Sequence, residues 1–513
     1  MQGLPCSASP CKSVIDLDAK GYFTMFFASF EFIGIFLPVV FGGFFLLQGT
    51  RQKAIATYWL IACSCFFYWS LDEQHLLQLF ESVIANYLLS LAIVAAKQRG
   101  GRLASSVMWG GVVFNIAFLC WFKYGAFSSA DGATASIPLG LSFFTIQQIA
   151  YLVSTLNSDD PSPTFGRYLL FISFFAYVIA GPVVTREEMF SQFDDMSVPR
   201  MRKMFLPALT LFSFGLFKKV VFADSIGMYV DQVFAASGHG VPLTAVDAWS
   251  ASGLYTLQLY FDFSGYSDMA AGLAALFGIN LPRNFHSPLK ATSVMEFWRR
   301  WHMSATRFFT NYLYLPLVLR IMRLVVPFRL TGVTQFLVTV LFPMLLTFLL
   351  IGVWHGAGMT AVVFGLLMGS AIAVNHTWRK FGMPSMPSSL GWLMTMCVIV
   401  VGMVFSRADD MNMAGGLLRA MLGLNAGASS LLDLSATLPW LVSLTAVCVV
   451  LPNTHEVMAA FPLVISESWA DVPRWQRGLV WNNGIVGAAV SSTVLFGTIV
   501  LIPKAAQFIY YRF

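Results

Sequence analysis

Residues 330–378 form a run of 49 without a single Asp, Glu, Lys or Arg, and a histidine sits in its middle. So long an apolar stretch has no place on a water-exposed surface. It is long enough for two bilayer crossings, each of which needs about 20 residues. The rest of the chain has the same character. Of 513 residues, 57% are apolar or aromatic and only 11% are charged, where a soluble domain carries roughly a quarter. The 48 Phe, 14 Trp and 16 Tyr suit lipid-facing spans flanked by aromatic belts. The solvent this composition implies is lipid.

Candidate spans lie near 25–48, 54–70, 77–96, 104–123, 137–156, 167–185, 205–223, 248–262, 333–353, 359–377, 390–405, 436–451 and 484–503. Several are short or interrupted. The reading is therefore an all-α polytopic membrane protein, with about ten to twelve crossings plus re-entrant and interfacial helices. No repeat or low-complexity linker divides it, so 21–513 reads as one membrane domain behind a polar N-terminal extension, 1–20. That extension lacks the basic start and short apolar core of a cleavable signal peptide.

The formal charge of +6 raises the question of nucleic acid. The basic residues, however, fall in short groups between apolar runs: Arg51 and Lys53, then Lys97, Arg99 and Arg102, then Arg200, Arg202 and Lys203, then Arg379 and Lys380. That is the positive-inside pattern of a membrane protein, not a nucleic-acid stripe. It puts the first two groups inside, the Asp72-Glu73 turn outside, and the N-terminus outside. Cys63, Cys65, Cys120, Cys397 and Cys448 lie in apolar spans and read as packing residues. Cys6 and Cys11, in the polar extension, leave a bridge open.

Two regions depart from span-and-loop alternation. The first, 260–320, opens with YFDFSGYSDMA, which carries Asp262 and Asp268, and passes through a polar connector with Asn284 and His286. From Thr292 it reads as an amphipathic helix, with Ser293 and Glu296 spaced as a capping box. Glu296 and Arg300, and Arg299 and His302, fall at neighbouring helical positions. Phe297, Trp298 and Trp301 supply the apolar side. Here His302 ends the helix, where a positive imidazole would also favour the dipole. The second region is IGVWHGAG, 351–358, where Gly352, Gly356 and Gly358 bracket Trp354-His355. Those glycines allow a break between two helices and place an imidazole at membrane depth.

An ionisable group at that depth is a functional candidate, because its desolvation has to be offset. The alternative for His355 is a neutral ring satisfying a backbone carbonyl at a helix end. No HxxxH or HExxH spacing supports a metal site, no GxSxG elbow supports a serine nucleophile, and no glycine-rich phosphate loop occurs. The Arg299-Arg300 pair with Trp298 and Trp301 could hold an anionic or lipid headgroup, or simply anchor at the interface. Histidines without a nucleophile or metal suit direct acyl transfer. A thioester is already activated, so the catalyst removes a hydroxyl proton and steadies the oxyanion.

The motifs IPLGLSFFTIQQIAYL (137–152), IAGPVVTREEMFSQF (179–193), FGLFKKVVFAD (214–224) and YFDFSGYSDMAAGLAALFGINLPRNF (260–285) occur in that order. EFWRRWHMS (296–304), GVWHGAG (352–358), FSRADD (405–410) and FIYYRF (508–513) follow. Taken together, the chain resembles the membrane-bound O-acyltransferase superfamily. Within it, the resemblance is to the bacterial branch with the alginate O-acetylation subunit and the D-alanyl transfer protein. The resemblance implies that His355 is the catalytic histidine and His302 the second one, lining a passage through a thinned membrane core. It implies acetyl transfer from a cytoplasmic thioester, acetyl-CoA, with no tightly bound cofactor. The acetyl would pass to an exported acetyltransferase or esterase-fold partner and decorate an exopolysaccharide made by polysaccharide-synthesis machinery. The expected location is the bacterial inner membrane. Glu296, Arg299, Arg300, Trp298, Asn284, Asp268 and Trp354 are candidate lining or supporting residues.

Two stretches depart from the family pattern: VLRIMRLV (318–325) stands where a glycine-rich basic turn is usual, and Met368-Gly369 where His-Gly is usual. Transfer of D-alanine or another acyl group to teichoic acid, peptidoglycan or lipid is the rival within enzymes. A transporter of acyl donors and a non-catalytic scaffold are the rivals outside them; paired half-repeats, a transporter signature, are not found.

Overall fold

In the computed structural model the described residues are 25–50, 53–128, 137–158, 163–425, 429–461, 463–465, 479–502 and 509. The extension 1–20, with Cys6 and Cys11, and Arg51 lie outside them. The described residues are mostly helical, as a bilayer demands of backbone that must satisfy its own polar groups.

Helices α1 (Leu37–Gln48), α2 (Lys53–Leu71), α3 (Leu76–Arg99), α4 (Gly101–Ser128) and α5 (Leu141–Asn157) run back and forth in order. Two ends of the bundle can be told apart. At one, Leu139 N–H donates to Asp72 at 2.9 Å; at the other, Lys97 donates to the Ser158 carbonyl. A span expected at 167–185 does not form. Helix α6 (Phe165–Ser173) stops after nine residues, and buried irregular chain follows to α7 (Arg186–Asp194). Residues 174–181 are buried against protein, not lipid, which is where non-helical backbone is tolerated at membrane depth.

Helix α8 (Val198–Phe217) continues through a π-helical turn, Lys218–Ala223, into α9 (Asp224–Gly238). It packs on α10 (Ala245–Leu276), the central helix, buried over nearly its whole length. Small residues bring the two backbones together: a Cβ on Gly215 would lie 2.5 Å from the Gly265 carbonyl oxygen. Two of the central helix's acids, Asp262 and Asp268, are neutralised by the π-turn. Lys219 pairs with Asp224 at 2.6 Å and Asp262 at 2.8 Å, and Lys218 pairs with Asp268 at 2.5 Å. Buried charges persist only when paired in this way.

The amphipathic segment from Thr292 splits in two. Helix α11 (Val294–Arg300) ends after seven residues, and α12 (Met303–Phe309) leads into α13 (Leu315–Val325). Ser293 caps α11, accepting from Glu296 N–H at 3.2 Å, but the reciprocal half of the box is absent. Glu296 instead accepts from the Thr292 N–H at 2.9 Å. Then come α14 (Gly332–Phe336), α15 (Phe342–His355), α16 (Met359–Lys380), α17 (Ser388–Arg407) and α18 (Met411–Met421). The chain closes with α19 (Leu434–Val450), α20 (Thr454–Val457) and α21 (Ile485–Ile499). Two-residue strands, Leu281–Pro282 and Val464–Ile465, pair in parallel and tie the connector after α10 to the late chain. Among the described residues, 8 helices are long and apolar enough to cross a membrane, and three shorter apolar ones accompany them. This is a multi-pass, all-α membrane protein.

Candidate functional site

Helix α15 stops at His355 because Gly356 turns extended, at φ −153° and ψ 155°. The chain re-enters the bundle as α16, and the two helices touch backbone to backbone. A Cβ at Gly352 would lie 2.4 Å from the Ala361 carbonyl oxygen, and one at Gly365 would lie 2.4 Å from that of Phe348. This close crossing fixes the end of α15 in depth. The half-buried His355 ring stands edge-on to Trp354, centroids 4.6 Å apart. It lines a cavity of about 340 Å³ with Trp298, Trp301, Tyr255 and Thr360. Asp409, whose side chain is 80% exposed, lies at the outer rim. The volume is at the low end of small-molecule sites, roughly 300–1,000 Å³.

His302 does not end a helix. It is left-handed, φ 44° and ψ 51°, and begins α12. Its ring is 3% exposed. Nδ1 lies 2.9 Å from Asn284 Oδ1. The amide orientation follows from Asn284's other partners: Oδ1 faces the Ser304 N–H at 3.4 Å and accepts from Ser304 Oγ at 2.9 Å, while Nδ2 donates to Ser267 Oγ at 3.0 Å. Ser304 Oγ in turn accepts from the Val183 N–H at 2.9 Å, which leaves its proton for Asn284. Nδ1 of His302 therefore carries the hydrogen, and Nε2 keeps the lone pair. The basic nitrogen is thereby fixed in place.

The two histidines are bridged by aromatic rings. Phe143 lies 6.1 Å from His302 and 5.9 Å from Trp354, and Phe309 packs edge-on to Trp354 at 5.3 Å. A second cavity, about 270 Å³, is lined by Ser304, next to His302, and by Arg307, Glu187, Thr185 and Tyr312. Arg307 is paired with Glu188 at 2.6 Å. The first cavity reaches Ile137 and Lys123, toward the Asp72 end of the bundle. The second reaches Ala150 and Glu187, toward the Ser158 end, where Glu187 accepts from Ser154.

The other sequence candidates divide. Trp354 belongs to the rings between the two histidines, Trp298 to the first cavity, and Asn284 to His302. Glu296 and Arg300 pair at 2.7 Å, and Arg300 reaches the His286 carbonyl at 3.4 Å, so they close α11 onto the connector without touching His302. Arg299 is exposed, and since α11 ends at Arg300 it shares no helical face with His302. Asp268 belongs to a separate buried ion cluster, where His455 Nε2 approaches it at 3.1 Å. The sequence did not single out His455, Lys123, Tyr124, Ser267 or Ser304. The short motifs FKY and WHMS contain three of these but give no partner. Among the described residues no group of three or more His, Cys, Asp or Glu could hold a metal ion.

A family model described as MBOAT, membrane-bound O-acyltransferase family, matches residues 55–409. A peptidoglycan O-acetyltransferase of Helicobacter pylori is 36% identical over 444 residues, 79% of this chain and 81% of that protein. A "Probable alginate O-acetylase" of Pseudomonas aeruginosa is 34% identical over 414 residues, 77% of this chain and 75% of its own. A teichoic acid D-alanyltransferase of Streptococcus thermophilus is 26% identical over 246 residues, 47% of this chain and 57% of its own.

Proposed function

Since this chain belongs to the membrane-bound O-acyltransferase family and is an acyltransferase, we propose that it moves an acetyl group from a cytoplasmic thioester, acetyl-CoA, toward an extracytoplasmic glycan. The observation that carries this is the position of His355: a half-buried imidazole at the break between two apolar helices, lining a cavity. The relatives named for O-acetylation of peptidoglycan and alginate support acetyl and a glycan over D-alanine and teichoic acid, because they match more of the chain at higher identity.

In this reading the Lys97–Arg102 end faces the cytoplasm, in the bacterial inner membrane, with the N-terminus outside. The second cavity is then the donor side and the first the acceptor side. The acceptor hydroxyl loses its proton to His355 as its oxygen bonds to the thioester carbonyl carbon. The C–S bond breaks on collapse, and the thiolate leaves and takes up a proton. His302, its Nε2 fixed by Asn284, accepts a hydrogen bond from a reactant and orients it. An exported acetyltransferase or esterase-fold protein would receive the acetyl group where the glycan cannot enter the cavity.

His355→Ala should abolish O-acetylation of the envelope glycan while the protein still accumulates in the membrane. Retained acetylation in that variant overturns the assignment. Absence of acetyl on every envelope glycan in wild-type cells, with another acyl group present, overturns the choice of acetyl.

A further inference from the structure

Helix α15 is capped by Gly356 in an extended rather than a left-handed conformation, so its last carbonyls need partners from elsewhere. The Gly356 N–H takes the Gly352 carbonyl at 3.1 Å. The next three carbonyls are met by two adjacent side chains of α4. The Tyr124 hydroxyl donates to Val353 O, and the Lys123 ammonium to Trp354 O and, at 3.1 Å, to His355 O. Lys123 also lies 3.5 Å from Ser142 Oγ on α5. Its residue is 3% exposed, and it lines the same cavity as His355.

A cation at a helix C-terminus is favoured by the dipole and by charge-assisted bonds to carbonyls. A lysine is nonetheless a costly way to end a helix inside a bilayer, where a glycine or asparagine would serve at less desolvation. The cost falls at one place, the backbone of the residue read as the proton acceptor. Two residues more than two hundred positions away grip three consecutive peptide groups, which fixes both the rotation and the depth of the ring that follows.

We propose that Lys123 and Tyr124 are positioning residues for the acyl transfer: they hold the end of α15 so that the His355 imidazole faces the cavity. This rests on the reading of His355 given above. Lys123 touches His355 through its backbone and acts through it, so its loss should slow the chemical step and leave donor binding nearly intact.

The test uses the full chain purified in detergent, with acetyl-CoA as donor, a soluble oligosaccharide as hydroxyl acceptor, and acceptor-dependent release of free thiol as readout. The variants are Lys123→Met, Lys123→Arg, Tyr124→Phe and His355→Ala. In parallel, the rate at which diethyl pyrocarbonate modifies His355 is followed by peptide mass spectrometry. Loss of the charge-assisted bonds in Lys123→Met should lower kcat by about 10–100-fold with KM for acetyl-CoA within about twofold. Its His355 modification rate should shift by about fivefold or more, and Lys123→Arg should recover part of both. Tyr124→Phe removes one neutral bond and should cost about 3–10-fold in kcat. Wild-type kcat per folded molecule together with unchanged His355 modification in Lys123→Met overturns the proposal. If that variant does not accumulate, the same two measurements on Tyr124→Phe decide, and wild-type values in both overturn it. Activity surviving in His355→Ala would instead overturn the reading of His355 itself.

Discussion

Asn284 is the residue on which the state of His302 turns, and Asn284→Ala exposes how much. Its Oδ1 accepts from two buried donors, His302 Nδ1–H and Ser304 Oγ–H, each at 2.9 Å. Stranding a buried donor costs about 1–3 kcal/mol, so the folded protein should lose about 2–6 kcal/mol. That is a large part of a total near 5–15 kcal/mol. The effect on rate is separate. Without Asn284 the imidazole can carry its hydrogen on either nitrogen and rotate, and one lost orienting bond of about 1.4 kcal/mol is worth tenfold in rate. We expect about tenfold slower transfer per folded molecule. Ser267→Ala removes only the 3.0 Å bond from Asn284 Nδ2, and should cost about two- to threefold. The assay is glycan-bound acetyl released by mild base, normalised to protein level in the membrane. The decisive comparison is a cycle with His302→Ala, where Asn284→Ala should add no further loss in rate, since coupled residues are not additive. Additive losses would refute the reasoning, because Asn284 would then act independently of His302.

Two further substitutions probe the frame. Gly352→Val forces a side chain into the Ala361 carbonyl, where even a Cβ would sit at 2.4 Å. Overpacking of this kind costs about 1–3 kcal/mol, and should separate α15 from α16 with loss of transfer; detergent thermal shift and the acetyl assay report both. Lys219→Met leaves Asp224 and Asp262 without their shared cation. At about 3–5 kcal/mol for a broken buried pair, the protein should fail to accumulate, and Asp262→Asn in the same chain should restore part of its level on an immunoblot.

The bilayer character, the helix break and the place of His355 were legible in 330–378, because charge depletion and glycine spacing are local properties. The family motifs carried the rest of that reading. What periodicity could not give are contacts across long separations. Lys123 and Trp354 are 231 residues apart, and nothing local to either position says that the two meet. The helical pattern after Thr292 continues past Arg300 in the sequence, yet His302 turns left-handed because Asn284 takes both its ring and the Ser304 hydroxyl. At 167–185 an apolar run read as a crossing, but burial against protein let it run as irregular chain. His455 did not stand out because its partner, Asp268, lies on the central helix, far away in sequence.

The aromatic rings between the two histidines bear on the energy economy of the cell that houses such an enzyme. A single aqueous bore through the lipid would let protons run down their electrochemical gradient at every turnover. The packed rings of Phe143, Trp354 and Phe309, with the buried His302 beside them, stand between the two histidines and narrow any such bore. In the proposed reaction an acyl group passed between these rings would need only a momentary meeting of reactants, and no standing aqueous path.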